Sequence, residues 1–161
     1  MHQSFYLKKP STFTFDKSYK VFIKEGKLFF FKIDYKFDED NDVWFSYSGL
    51  IYMLRDMIYK KSAKRSENKI DQAVQNNQIE LLKHKNNFQL NIVDIKRVEV
   101  NEKPTSHSFL QDNGTLLFIL DDNKRYRFIM PSSISRELIM NLLEEAGFHS
   151  MFKNNLINRR P

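Results

Sequence analysis

The sequence predicts a mainly β protein: a strongly bent antiparallel sheet or barrel of about six or seven strands, with a C-terminal capping helix and an inserted helical segment. Three observations predict this fold. Apolar and polar residues alternate in segments near both ends of the 161-residue chain, as they do in half-buried strands. Between these segments, from about residue 44 to 84, the apolar period lengthens to that of a helix. An amphipathic helix with a serine cap follows the last strands.

The early strands are predicted between residues 11 and 33. Phe13 and Phe15 alternate with polar residues, and two apolar runs flank Glu25-Gly26. Gly26 can take the positive φ that a tight hairpin turn requires. Three consecutive phenylalanines, 29–31, predict a strand that is buried on one face and carries an aromatic residue on the other.

The late strands begin at Phe88. The apolar phase shifts between Ile92 and Ile95, which predicts a bend at that point. Asn113-Gly114 and the segment 121–124 are turn signals, and apolar residues alternate between and after them. These patterns predict a strand followed by a hairpin.

The closing helix is predicted from about residue 131 to 147, and a polar tail covers 148–161. Ser132 or Ser133 can cap its N-terminus, and Gly147 suits the position after its last turn. The predicted core of the whole fold comprises Val21, Ile23, Leu28, Phe30, Val98, Phe118, Phe128, Leu138 and Leu142.

The inserted segment 44–84 supplies the candidate contact surface. An amphipathic helix is predicted over 47–59, and it runs into a basic segment with six basic against two acidic residues from Arg55 to Lys69. A second, weaker helix is predicted over residues 70–84. The apolar face of the first helix and the basic extension form the candidate partner or membrane contact: Leu50, Ile51, Leu54, Met57, Ile58, Lys60, Lys61, Lys64 and Arg65.

Length and composition indicate one domain over residues 1–161. The chain has no cysteine, which excludes a disulfide framework, thiolate metal ligands and a cysteine nucleophile. Its N-terminus lacks the apolar core of a signal peptide, and no uncharged apolar run is long enough to span a bilayer. We therefore expect a cytoplasmic protein, with a peripheral position at the inner face of the membrane as a variant of that expectation. The net charge of +6 would attract a polyanion or an anionic membrane.

Neither the histidines nor the carboxylates form a catalytic or metal-binding pattern. Residues 38–42 start like a calcium loop, but Val43 and Gly49 stand where such a loop needs its glycine and its final glutamate. His107 lies between two serines without an identifiable orienting acid. No metal-pair spacing joins the four histidines, His2, His84, His107 and His149. The chain is therefore predicted not to be an enzyme and to use no cofactor or metal.

Together these elements resemble the bacterial pleckstrin-homology-like (PH/GRAM-type) domain superfamily. The matching segments are an early hairpin at 19–33, a strand at 91–100, a late hairpin at 116–130 and a terminal helix at 132–147. With the loops that join the last three, the resemblance covers about half of the chain. In the place of Ser48–Arg55, some members carry a glycine-containing apolar helix followed by a basic segment. The resemblance implies a scaffold for binding lipid, peptide or protein, without naming a ligand. The first hairpin of this chain has too few basic residues for the phosphoinositide motif of some pleckstrin domains.

We therefore predict a non-enzymatic intracellular binding module that acts by protein interaction or self-association through the inserted helix. Peripheral binding to anionic membrane lipid is the alternative. Nucleic-acid binding is a weaker alternative, because strand alternation places Tyr126 and Phe128 on the face opposite the arginines that would contact phosphate. The basic residues of that late hairpin region are Lys96, Arg97, Lys124, Arg125 and Arg127.

Overall fold

The computed structural model describes residues 3–11, 16–33, 49–78, 85–106, 110–148 and 152–154, with the backbone alone for 49–60, 63 and 152–154. The four histidines, the acidic segment 38–42, residues 12–15 and 79–84, and the tail from 155 onward lie outside the described residues, so the predictions made for them stay predictions.

The described chain forms one open, mainly antiparallel sheet and two helices, which confirms the predicted fold class. The strand order is β4-β3-β2-β1-β7-β6-β5-β8, and every neighbouring pair is antiparallel except the short parallel pair of β5 and β8. The strands are β1 (Ser4–Lys9), β2 (Lys17–Lys24), β3 (Lys27–Ile33), β4 (Phe88–Asn91), β5 (Ile95–Asn101), β6 (Thr115–Leu120), β7 (Arg125–Ile129) and β8 (Phe152–Asn154). Helix α1 is Gly49–Gln75, and helix α2 is Arg136–Leu143.

The sheet is strongly bent, and its aromatic contacts show by how much. Strands β4 and β7 stand four places apart in the strand order, so a flat sheet would separate them by roughly 19 Å. Yet the rings of Phe88 in β4 and Tyr126 in β7 stack with centroids 5.7 Å apart. Phe30 in β3 and Phe128 in β7 stack at 5.0 Å. The sheet therefore curls until its two halves, β1–β4 and β5–β7, share one concave core.

Strand β1 joins these two halves, and sequence reasoning missed it. It pairs with β2 along its whole length, from Ser4↔Phe22 to Lys9↔Lys17, and with β7 at Lys8↔Ile129. Phe5 and Leu7 are fully buried in the concave core. Two alternating apolar residues are too short a signal for a strand, which is why the prediction began at residue 11.

The predicted turns are confirmed where the structure describes them. Glu25 and Gly26 both have positive φ, 49° and 72°, as the two-residue turn between β2 and β3 requires. A single 3-10 turn, Ile92–Asp94, produces the predicted bend between β4 and β5. The amide of Ile92 donates to the carbonyl of Gly26 at 2.9 Å, so these two turns lie together at one end of the sheet.

The concave core contains most of the residues predicted for it. Six of them are completely buried, and Ile23 and Leu142 pack at its edge. The prediction that Leu138 belongs to the core was wrong, since 48% of this residue is exposed. The six buried residues are Val21, Leu28, Phe30, Val98, Phe118 and Phe128.

The position of the helix cap explains the error at Leu138. Ser135, rather than Ser132 or Ser133, is the N-cap of α2, and its hydroxyl accepts from the Leu138 amide at 3.5 Å. With that start, Ile139 and Leu143, one turn apart, are buried against the sheet. The chain then widens into a π-type turn, Glu144–Phe148. Gly147 has the predicted positive φ there, at 100°.

A buried carboxylate holds the loop that leads into β6. Asp112 is 5% exposed, and it accepts from the amides of Thr105 at 3.0 Å and Gly114 at 2.8 Å. Gly114 has φ 92°, and a Cβ there would lie 2.0 Å from the carbonyl oxygen of Asn101. The loop therefore requires glycine at this position for two independent reasons.

We predict that Gly114→Ala lowers the free energy of unfolding by about 3 kcal/mol or more, because strain and backbone overlap add. Gly26→Ala is the matched control, since Gly26 has φ 72° but open space around it, and we expect it to cost about 1 kcal/mol. Urea unfolding followed by circular dichroism measures both. Equal losses in the two variants would contradict the close approach at Gly114.

We also predict that Leu143→Ala costs about 2–5 kcal/mol, because it empties a fully buried site. Leu138→Ala makes the same chemical change in the same helix at an exposed position, so we expect it to cost less than about 1 kcal/mol. Thermal and urea unfolding of the two variants check the orientation of α2. A larger loss at Leu138 than at Leu143 would show that α2 is rotated from the position described.

Candidate docking surface on helix α1

Helix α1 is one continuous helix, where the sequence predicted one helix over 47–59 that runs into a basic segment and a second, weaker helix over 70–84. Its 27 residues make a rod roughly 40 Å long. The prediction was wrong because the stretch between the two apolar segments contains no glycine or proline. Its lysine, arginine, alanine and glutamate residues are good helix formers. The basic segment is therefore part of the helix.

The C-terminus of α1 is closed by an asparagine in the left-handed conformation. Asn77 has φ 59°, the Gln78 amide donates to the Ala73 carbonyl at 2.7 Å, and the Asn77 amide donates to the Val74 carbonyl at 3.3 Å. These two bonds are the Schellman arrangement, in which asparagine is the usual substitute for glycine. The helix therefore ends at Gln75, directly before Asn76-Asn77.

The last turns of α1 pack on the convex, outer face of the first half of the sheet. Ile70 and Val74 are buried there, and they form a second core with Phe22, Phe31 and Ile33. The three phenylalanines of β3 divide between the faces as predicted, since Phe30 lies in the concave core and its two neighbours belong to this second core. Strands β2 and β3 are thus buried on both sides.

A buried lysine fixes the helix to the sheet. Lys20 of β2 is 7% exposed, and its Nζ donates to both carboxylate oxygens of Asp71 at 2.7 and 2.9 Å. The same Nζ lies 5.5 Å from the ring centroids of Tyr6 and Phe22. The Tyr6 hydroxyl donates to Glu67 Oε2 at 3.2 Å. Two carboxylates of α1 are therefore engaged by the sheet.

The pKa values of these groups reflect that environment. Burial opposes the charge of Lys20, but its hydrogen bond and attraction to Asp71 outweigh burial and raise the pKa of Lys20 above 10.5. For Tyr6, burial raises the pKa above 10.0, although the nearby Lys20 acts to lower it. At neutral pH this cluster therefore comprises a charged lysine and a neutral tyrosine.

The helix period places the predicted apolar stripe on the other side of α1. Each residue advances roughly 100° around a helix, so the mean direction of the stripe lies roughly 150° from that of Ile70, Ala73 and Val74. We call the side of the stripe the far side, and the side of Ile70, Ala73 and Val74 the docked side. The apolar positions of the far side are the predicted ones: Leu50, Ile51, Leu54, Met57 and Ile58.

The far side continues as a line of basic residues toward the C-terminus. Lys61, Arg65 and Lys69 occupy the same angular range as the apolar stripe, and Lys64 lies roughly 20° outside its edge. All four are exposed. Sequence reasoning did not single out Lys69, although its spacing of four residues from Arg65 places it in the same line. Lys60, the remaining predicted basic residue, lies at a position roughly 120° from the centre of the stripe.

The acidic residues of α1 occupy different positions from this basic line. The three acids of the helix are Asp56, Glu67 and Asp71. Asp56 and Glu67 lie within roughly 70° of the docked direction, whereas Asp71 lies roughly midway between the two directions. Two of them bond to Lys20 and Tyr6 of the sheet. The far side therefore carries bases and no acid over the whole length of α1.

The basic residues of the late hairpin form a different surface. Arg125 and Arg127 are exposed, whereas Tyr126, on the opposite face of β7, packs against the concave core. Arg97 pairs with Glu99 at 2.5 Å, and Lys124 pairs with Asp122 at 2.7 Å. The arginines and the aromatic rings thus lie on different faces, so a stacked nucleic-acid base and its phosphate would have to contact opposite sides of the sheet.

Among the residues that the structure describes, no three histidine, aspartate or glutamate side chains lie close enough together to hold a metal ion. No helix in the described ranges combines the length and the apolar composition needed to cross a membrane. Comparisons of the chain with protein-family models, with curated proteins and with solved structures found no match.

We predict that Asp71→Ala lowers the free energy of unfolding by about 2 kcal/mol, because it leaves Lys20 charged and buried without its partner. The double variant Lys20→Met/Asp71→Leu removes both charges, and we expect it to lie within about 1 kcal/mol of the wild type. Glu102→Ala breaks the more exposed pair with Arg136 and should cost about 0.5 kcal/mol or less. Urea unfolding measures all three. If the double variant were as unstable as Asp71→Ala, an unpaired lysine would not be the cause.

Proposed function

We propose that the protein is a non-enzymatic binding module and that its contact surface is the far side of α1. The observation that carries the proposal is the opposition of two apolar sides on one helix. The docked side packs on the sheet through Ile70 and Val74, and the apolar stripe lies at positions on the other side. A second apolar stripe, on the side of a helix opposite the one that packs on its own sheet, is typical of an interaction surface.

The composition of the docked side supports the same proposal. Tyr52, Tyr59 and Ala63 lie at positions in line with the docked Ile70 and Val74. The helix thus has a complete apolar line for its own sheet without the far-side stripe. A helix that is apolar on two opposite sides is typical of one packed between two surfaces, and in our proposal the second surface belongs to a partner.

The scaffold that presents the helix is, in our proposal, pleckstrin-homology-like. The strand order, the strong bend and the C-terminal helix that closes the concave core are the features that support this assignment. Such scaffolds are common to proteins of many functions, so the proposal for function depends on the helix surface rather than on the fold.

Cysteine labelling tests the proposal, because the natural chain contains no cysteine. We expect Leu54→Cys in the dilute, folded protein to react with a maleimide about as fast as Lys61→Cys, whose site is exposed. Ala73→Cys, at a buried docked position, should react at least about tenfold more slowly, because its labelling requires local opening.

Labelling across a dilution series separates the possible outcomes. Slow labelling of Leu54→Cys that becomes fast on dilution would identify a second copy as the partner, and sedimentation velocity would then show a dimer. If Leu54→Cys remained as slow as Ala73→Cys at every concentration, the stripe would be covered by the chain itself. The proposed function would then be wrong.

A further inference from the structure

We infer that the far side of α1 binds an anionic membrane surface and that the helix lies in the plane of that surface. This inference rests on the proposed function, because it identifies the partner of the same contact surface. It is drawn from the arrangement of apolar and charged residues along one side of a single helix.

The first step is the order of residues along the far side. Its N-terminal part is apolar from Leu50 to Ile58, and its C-terminal part is basic from Lys61 to Lys69. In an interfacial helix, apolar residues enter the boundary between headgroups and acyl chains while basic residues remain at the phosphates. Both kinds of residue lie on the same side here, so one flat surface can contact them together.

The second step is the segregation of charge around the helix. Glu67 and Asp71 bond to Tyr6 and Lys20 of the sheet rather than to the exposed bases. Arg55 and Asp56, which interrupt the apolar run in the sequence, also lie at positions outside the far side. The far side is consequently apolar and basic only, as contact with an anionic lipid surface requires.

The third step compares a membrane with a second copy of the chain. A two-fold interface brings the same surface of each copy together. The far side would then meet another surface that carries the same four bases and no acid. An anionic surface complements these charges, whereas a second copy repeats them, so the charge pattern favours the membrane.

The fourth step concerns depth. The apolar stripe spans nine residues, which is roughly 13 Å of helix and less than half of the roughly 30 Å hydrocarbon thickness. Exposed bases follow it directly along the same side. The stripe can therefore enter one leaflet at a shallow depth, with the helix axis parallel to the surface.

Vesicle co-sedimentation of the full chain tests the inference. The vesicles are phosphatidylcholine alone and phosphatidylcholine with phosphatidylserine, in about 0.1 M and about 1 M salt, at which the Debye length falls from about 10 to about 3 Å. We expect binding only to the phosphatidylserine vesicles, and much less of it at high salt. The far-side variant Lys61→Glu/Lys64→Glu/Arg65→Glu/Lys69→Glu should bind on the order of a hundredfold more weakly or worse.

A matched variant separates the far side from net charge. Lys96→Glu/Lys103→Glu/Arg125→Glu/Arg127→Glu makes the same change in charge at four exposed positions outside α1. We expect it to keep most of the binding. Circular dichroism and urea unfolding verify that both variants are folded. Equal losses in the two variants would overturn the inference, because binding would then follow net charge alone.

A third variant, Leu54→Ser/Ile58→Ser, should weaken binding without changing its salt dependence.

The remaining outcomes distinguish failure of this inference from failure of the proposed function. If wild type does not pellet with any vesicle, the membrane inference is wrong. The proposed function then stands if Leu54→Cys labels fast, or if its protection disappears on dilution. Binding to soluble polyglutamate without binding to vesicles would likewise overturn the membrane inference, and it would indicate an acidic protein as the partner.

Discussion

The packing of aromatic rings across the concave face is the interaction on which the rest of the structure depends. Phe30 from the first half of the sheet stacks on Phe128 from the second, and Phe88 stacks on Tyr126. Backbone pairing between the two halves is short by comparison, since β1 and β7 pair at Lys8↔Ile129. Burial of these rings is favourable in proportion to the apolar area removed from water. It keeps the sheet bent and creates the convex face on which α1 packs.

The bend has a direct consequence for α1. The concave face is filled by strand side chains and by α2, so the helix inserted between β3 and β4 packs outside, on β2 and β3. Only its last turns, with Ile70 and Val74, belong to the second core. The pairing of Lys20 with Asp71 then fixes which side of the helix meets the sheet. Because a helix is rigid over many turns, that choice at its C-terminus also orients the positions of its N-terminal half.

Charge segregation around α1 follows from the same contact. Lys20 and Tyr6 of the sheet bind two acidic residues of the helix, and burial of Lys20 makes its charge–charge contact with Asp71 stronger than it would be in water. The bases are left on the side where they remain hydrated. The positions of the apolar stripe and of the basic line thus lie on the same side of one helix, and in our proposal this combination is the functional part of the molecule.

The sequence by itself determined the local elements: the alternating strands, the Glu25-Gly26 turn, the bend after Ile92 and the apolar stripe of the inserted helix. These follow from periodicity and from residues with special backbone preferences, which act over a few neighbours. Tertiary structure decided that β1 joins the halves, that Ser135 caps α2 and that α1 docks by the side that carries Asp71. Those outcomes depend on contacts between residues far apart in the chain, and no local pattern specifies which apolar side of a helix its own sheet will bury.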